Sequence, residues 1–230
     1  MHSVVLEMAQ PSTTFNKNVR LNGCNLLKMI IILFHSFKID GDKQMATTKI
    51  ITQAEAFKLI SWLESHNKQL FADVAITMAS LCLRVGDTVN LKFSQFKEGS
   101  TLEVLESKTG KKKEIIVPAK VWEIVERRRQ TFPKDEYVFT SHSNRASGKS
   151  PVSREQVNRE IKQAAENVGI KGTVGCHSFR KFSATQVWEK SNGNLALAMK
   201  ALNHSDPKVT MNYLKIDVKS VGAALANIWE

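Results

Sequence analysis

The sequence predicts a mainly α fold with one small antiparallel β-hairpin set among the helices, an α+β arrangement. Three observations carry this. Apolar residues recur at helical spacing over most of the chain from Thr52 onward. The period drops to two only across Thr101–Glu106 and again at Glu114–Pro118. Thr109-Gly110 supplies a turn between those two stretches. No internal repeat or low-complexity tract interrupts the pattern.

The elements follow in order. Thr52-Gln-Ala-Glu55 is a capping-box pattern, and Phe57, Ile60 and Leu63 then mark one helical face. A second helix spans about Gln69 to Leu83 with Val74, Ile76, Met78 and Leu81 as its apolar residues, and Val85–Leu91 continues as a tight turn into a short helical piece. After the hairpin come helices over Ala119–Gln130, Ser153–Val168, His177–Lys190 and Leu195–Leu202. Pro207 opens another near Tyr213, and a last one, Asp217–Trp229, puts Val218, Val221, Leu225 and Ile228 on one face. Gly148–Pro151 and Gly169–Gly175 read as loops.

Lys and Arg outnumber Asp and Glu by 33 to 22, a net charge of +11. Residues 1–45 hold five basic and three acidic residues, +2, which leaves +9 to residues 46–230. The positive field belongs to the main body, and nucleic acid is the first polyanionic partner to consider. A solvated basic surface is the plainer alternative.

Cys24, Cys82 and Cys176 form neither a disulfide framework nor a metal-binding pair, which fits a reducing compartment. Cys176 adjoins His177, but neighbours on a helix point in different directions, so Cys176 reads as a packing residue.

The stretch Leu26–Phe37 is apolar but broken by Lys28 and His35, and shorter than the ~20 residues of a spanning helix, so no membrane partner is expected. Residues 1–45 read as an N-terminal extension, either a rudimentary segment in front of the main domain or an over-extended start. Met45 opens the plausible beginning MATTKIITQAEAF. Residues 46–230 read as one domain.

The informative feature is a set of cationic and nucleophilic groups in fixed order. Leu83-Arg84-Val85-Gly86-Asp87 puts an arginine at the end of an apolar helix, followed by an acid. Ser107-Lys108-Thr109-Gly110 puts a lysine at the hairpin tip. His177 and Arg180 stand three apart on one helical face. His204 ends a helix, and Tyr213 follows it by nine residues.

This order resembles the active-site signature of the tyrosine recombinases, the phage integrase family. CHSFRKFSAT is similar to the family's box around its His-x-x-Arg pair. KALNHSDPKVTMNYLKID is similar to its terminal box, and SLCLRVGDTVNL to the box around its first arginine. The resemblance covers about Thr52 to Trp229 and implies the tyrosine recombinase catalytic-domain fold. Asn203 stands where the family usually has glycine, and the interval from Arg180 to His204 is one residue longer than expected, with Ser191–Asn194 as the inserted loop. The family also carries a helical core-binding domain in front, for which residues 1–51 are too short.

Carried over residue by residue, the resemblance gives the catalytic set Arg84, Lys108, His177, Arg180, His204 and Tyr213. The chemistry explains the residue types. A phosphodiester repels nucleophiles, and attack builds more negative charge on its non-bridging oxygens. Arg84 and Arg180 can each give those oxygens forked, permanently charged hydrogen bonds. Tyrosine is only about one-thousandth ionised at neutral pH. Tyr213 therefore needs a base, for which His177 stands. His204 would donate to the phosphate, and Lys108 would protonate the departing 5′-oxygen. The scheme requires no cofactor and no metal.

The resemblance further implies double-stranded DNA with specific recombination sites as partner and a homotetramer on two DNA sites. Accessory DNA-bending proteins and a cytoplasmic, nucleoid-associated setting complete the expectation. The last helix would dock into a neighbouring protomer or pack on its own domain.

Each residue also has a plainer reading. Arg84 could cap a helix C-terminus. Lys108 shares an exposed turn with Lys111, Lys112 and Lys113, and Lys111 competes for the acid's role. Either histidine could be structural, and Tyr213 a half-buried packing residue. Tyr137, in an apolar run, reads as core, and Arg127-Arg128-Arg129 as a solvated or DNA-facing helix side. Two other functions stay open: an accessory or non-catalytic DNA-binding protein on the same fold, and a relaxing enzyme of the type IB topoisomerase kind.

Overall fold

The computed structural model describes residues 48–142 and 150–216, with Gly222, Leu225 and Ala226 beyond them. The expectations for residues 1–45 and for the stripe on Asp217–Trp229 lie outside the described residues, apart from Leu225, which is exposed.

Eight α-helices and one hairpin make up the described fold. They are α1 (Gln53–Ser65), α2 (Gln69–Leu81), α3 (Val85–Val89), β1 (Leu102–Leu105), β2 (Lys112–Ile115), α4 (Ala119–Thr131), α5 (Arg154–Asn167), α6 (Cys176–Lys190), α7 (Leu195–Leu202) and α8 (Pro207–Leu214). A 3₁₀ turn at Phe93–Gln95 follows α3. The sequence reading of a mainly helical chain with one hairpin holds. No helix among the described residues is long and apolar enough to cross a membrane.

Helix α1 starts where its capping box says. The Thr52 hydroxyl accepts from the Glu55 amide (3.2 Å) and the Glu55 carboxylate from the Thr52 amide (2.9 Å). Its buried face is Ala56, Leu59 and Leu63, and Phe57 is 61% exposed. Phe57 was expected on the core face and is not there, because the stripe that meets the core runs one position earlier.

Helix α2 is the centre of the fold. Ala72, Val74, Ala75, Met78 and Leu81 are buried on several of its sides, and it packs against α1, α3, α4, α5 and α6. It also buries Asp73, whose carboxylate pairs with Arg127 (2.6 Å) and Arg128 (3.4 Å) and accepts from Gln69 (3.0 Å). This overturns part of the reading of Arg127-Arg128-Arg129. Arg128 is buried and donates to the Val138 carbonyl as well, and it shares with Arg127 the interior charge of Asp73. Arg127 and Arg129 remain partly or fully exposed.

The hairpin is antiparallel, with Leu102 opposite Ile115 and Leu105 opposite Lys112. β2 therefore lies earlier than the expected Glu114–Pro118. The apolar run Ile115-Ile116-Val117 attracted that expectation, but the turn fixes the register. Gly110 takes the left-handed conformation (φ 64°) and its amide donates to the Glu106 carbonyl (2.8 Å). That draws Lys112 and Lys113 into the ladder and leaves Ile116 83% exposed.

Lys113, opposite Val104, points inward and is buried, so the turn is not uniformly exposed as expected. Its ammonium donates to the carbonyls of Leu81 (2.8 Å), Cys82 (3.0 Å) and Ala201 (2.7 Å). Burial pulls its pKa down to about 8. Tyr137, read as core, is only half-buried and lies under the Lys92 ammonium.

Candidate active site

Helix α2 ends because Cys82 turns left-handed (φ 50°), which swings Leu83 into the core and brings Arg84 out beside the hairpin. Arg84 is then the residue that starts α3, not one that caps the end of a helix. Within α3, Asp87 accepts from the amide (2.9 Å) and hydroxyl (2.7 Å) of Ser107, tying α3 to the loop that carries Lys108.

Helix α6 supplies His177 and Arg180. Its N-terminus is held by Asn158, whose side-chain oxygen accepts from the Cys176 amide (3.0 Å). A methyl group on Gly175 would come within 2.6 Å of that same oxygen, so only glycine lets the two segments approach this closely.

Arg180 is almost wholly buried. Nη1 donates to the Cys82 carbonyl (2.8 Å) and Nη2 to the Leu202 carbonyl (2.7 Å), at the C-terminal ends of α2 and α7. Helix C-termini concentrate negative dipole, so they suit a permanent cation. Cys176 is buried with its thiol pushed up to about 12 by burial, as a packing residue should be.

His204 follows α7, whose C-cap Asn203 is left-handed (φ 55°). The departure from glycine at this position is thus one that the backbone tolerates, since asparagine visits this region more readily than other side chains. His204 Nδ1 lies 3.1 Å from the hydroxyl of buried Thr210. Burial first, then the charges of Arg180 and Arg84, lower the imidazole pKa to about 4. His177 is lowered too, by burial and by Arg180, Lys181, Arg84 and Lys108. Both rings are neutral near pH 7.

Helix α8 starts with the Asp206 carboxylate accepting from the Lys208 amide (2.8 Å) and with Pro207 in its first turn. It presents Tyr213 edge-on to both imidazoles, with ring centroids 5.6 Å from His177 and 5.7 Å from His204. The Tyr213 hydroxyl is buried and has no hydrogen-bond partner among the described residues. Burial raises its pKa to about 12, against the opposing pull of Arg180.

All six side chains singled out from the sequence line one cavity of about 330 Å³: Arg84, Lys108, His177, Arg180, His204 and Tyr213. Lys111 lines it as well and donates to the Ser205 hydroxyl (2.9 Å), whereas Lys108 extends from the exposed loop. A larger cavity of about 920 Å³ lies on another side, with Leu197, Ile115 and Ile116 in its lining and none of the six.

One residue of the site went unread in the sequence. The Glu106 side chain is fully buried beneath the cavity, with Oε1 2.8 Å from Arg84 Nη1 and 3.8 Å from Arg180 Nη2. The first contact is close but misaligned for a hydrogen bond, so it is an ion pair. Oε2 accepts from the Thr109 hydroxyl (2.8 Å). Burial would raise this carboxyl. The contacts to Arg84 and Thr109, with the charge of Arg180, outweigh burial and hold it below the usual carboxylate value. The signal was present: strand alternation puts Glu106 on the same face as Leu102 and Val104, and Leu105 outward.

Comparison with known proteins adds the family. The model of the phage integrase family matches residues 49–220. A probable integrase/recombinase of Bacillus subtilis (strain 168), YoeC, is 30% identical over 142 residues, which is 62% of this chain and 75% of that protein. Among solved structures, the lambda integrase catalytic core superposes with TM-score 0.55 at 21% identity, over 66% of this chain and 89% of that one. A lambda integrase fragment, in a dimer bound to a COC′ core site, gives TM-score 0.60 at 22% identity over 72% of this chain. XerA recombinase gives 0.61 at 19% identity over 79% of this chain. The chain spans 59% of that lambda integrase fragment and 65% of XerA, under two thirds of either. The solved structures establish the fold as that of tyrosine recombinase catalytic domains. With the matched region running through most of its length, the chain belongs to the phage integrase family of tyrosine recombinases.

Proposed function

We propose that this protein is a site-specific DNA recombinase that cuts and rejoins double-stranded DNA through a 3′-phosphotyrosyl link to Tyr213. The observation that carries the reading is the convergence of two arginines, two neutral imidazoles, a lysine and a buried phenol on one cavity. Arg84 and Arg180 bind the non-bridging oxygens and stabilise the charge that develops on them. His177 takes the phenol proton as the Tyr213 oxygen bonds to phosphorus. His204 donates to a phosphate oxygen. The bond from phosphorus to the 5′-oxygen breaks, and Lys108 supplies that oxygen's proton, leaving a free 5′-hydroxyl. Attack by another 5′-hydroxyl reverses each of these transfers, so bond energy is conserved and the scheme needs neither a metal nor a nucleotide cofactor.

The raised Tyr213 pKa fits this order of events. The phenol stays protonated until a phosphate is bound, so deprotonation and attack proceed together. The engagement of Lys111 by Ser205 favours Lys108, which extends from the loop, as the acid. The partner is DNA carrying recombination sites, and the working assembly is a homotetramer on two sites. A solved relative is a lambda integrase tetramer bound to a Holliday junction.

The test is a nicked suicide duplex carrying a recombination site, sought as paired inverted repeats in the DNA flanking the gene. The wild type should give a covalent protein–DNA species, and Tyr213→Phe should give none while still shifting the duplex. Equal adduct from both proteins would move the nucleophile elsewhere. Shifted duplex without adduct from the wild type would leave a DNA-binding protein only. Relaxation of arbitrary supercoiled plasmid would indicate a relaxing enzyme without site-specific synapsis.

A further inference from the structure

The buried Glu106 carboxylate stands directly under the two arginines assigned to the phosphate. An anion there needs explaining, because it competes with the substrate for the same guanidiniums. Two guanidiniums and one carboxylate leave a single net positive charge in place of two. Arg84 Nη1 is itself buried and faces this carboxylate, so Glu106 holds the inner edge of the guanidinium. The other carboxylate oxygen is committed to Thr109, next to Lys108. The Glu106 backbone closes the same loop, its carbonyl accepting from Thr109 (3.3 Å) and Gly110 (2.8 Å). One residue thus touches the phosphate-binding arginines and the lysine's loop together.

We propose that Glu106 is a positioning residue that fixes the Lys108 loop to Arg84 and halves the positive charge the arginine pair presents to a phosphate. This deepens the recombinase reading and rests on it. A pocket of full charge grips the bound phosphate more tightly, whereas a guanidinium without its anion is no longer held in register with the acid, so binding and rate move apart.

Glu106→Gln tests the charge and Thr109→Val tests the tether, with melting curves to confirm folded protein. On a duplex of arbitrary sequence, Glu106→Gln should bind more tightly at low salt. Its plot of log affinity against log salt should steepen by about 0.9, the value for one further phosphate neutralised. On the nicked recombination site at saturating protein, the same variant should form adduct at least about tenfold more slowly. Glu106→Asp should restore the wild-type salt slope. Thr109→Val should keep that slope and lose rate. Tighter binding with slower cleavage is a split that a merely structural side chain would not produce.

A folded Glu106→Gln protein with the wild-type slope or the wild-type rate overturns the inference. Should Glu106→Gln fail to fold, Thr109→Val decides, and a wild-type rate in that variant overturns it. Absence of adduct from the wild type itself counts against the recombinase reading, and the salt slopes still decide the charge effect separately.

Discussion

The core behind Arg84 and Arg180 runs without a break from Ile51 through α1 to α6 and the hairpin. The layer behind His204 and Tyr213 rests on five buried side chains, Cys82, Ala184, Ala198, Leu202 and Leu214. The difference is one of depth. Arg180 joins the two: it rises from α6 beside the thick core, and its guanidinium is clamped by the carbonyls of Cys82 and Leu202 in the thin layer. Tyr213, the proposed nucleophile, stands on a helix of eight residues, closed at one end by the Asp206 cap and at the other by left-handed Lys215. Regions with few buried apolar contacts open at lower free-energy cost than the whole domain. α8 is thus the part of this fold able to move while α7, bonded to Arg180 and Lys113, stays with the arginines.

Arg180 sharpens the comparison most. Arg180→Ala and Arg84→Ala should each slow adduct formation by about 10²–10³-fold, the scale for losing one transition-state donor. Both should also destabilise the fold: Arg180→Ala leaves the Leu202 carbonyl buried without a donor, at about 1–3 kcal/mol, and Arg84→Ala leaves buried Glu106 without its nearest cation. An unchanged melting temperature in either variant would contradict this. Leu202→Ala comes next, at about 2–5 kcal/mol, since its side chain is fully buried in the thin layer. Hydrogen exchange should quicken in α7 and α8 while α2 stays protected. Uniform quickening would mean the two cores open as one.

Acid should act on the thin layer first. In the folded protein His204 titrates near 4, below the ordinary value of 6.5. Between those values the unfolded chain binds the proton and the folded one does not, so stability falls as pH drops from about 6.5 to 4. Melting curves at pH 7 and pH 5 should show this loss, and His204→Gln should show less of it. The smallest effect belongs to the thick core's edge. Thr52→Ala removes a cap and should cost about 1 kcal/mol with no change in adduct formation at saturating DNA.

Helix positions were legible because caps and apolar spacing are local signals, as Thr52, Ser153 and Pro207 show. The six residues that line the smaller cavity could be singled out because each motif box is a contiguous string. What escaped was fixed by partners distant in sequence. Lys113 looks like any turn lysine until three carbonyls from α2 and α7 surround it. Arg128 is buried only because Asp73 lies opposite, and nothing near either residue announces the pair. Glu106 was half-legible: strand alternation turned it inward, but only the fold brings Arg84 and Arg180 to it. Phe57 was misjudged because a stripe of three apolar residues fits more than one helical face.

Asn203 carries a consequence for how this family's members can vary. Its left-handed backbone admits few residue types, and the asparagine amide also donates to the Lys112 carbonyl (3.3 Å), a contact glycine has no atoms to make. The chain has exchanged the suppleness of a glycine joint for a stitch between the segment entering the second histidine and the strand leaving the lysine loop. Two halves of the pocket, encoded ninety-one positions apart, are therefore sewn together at this point.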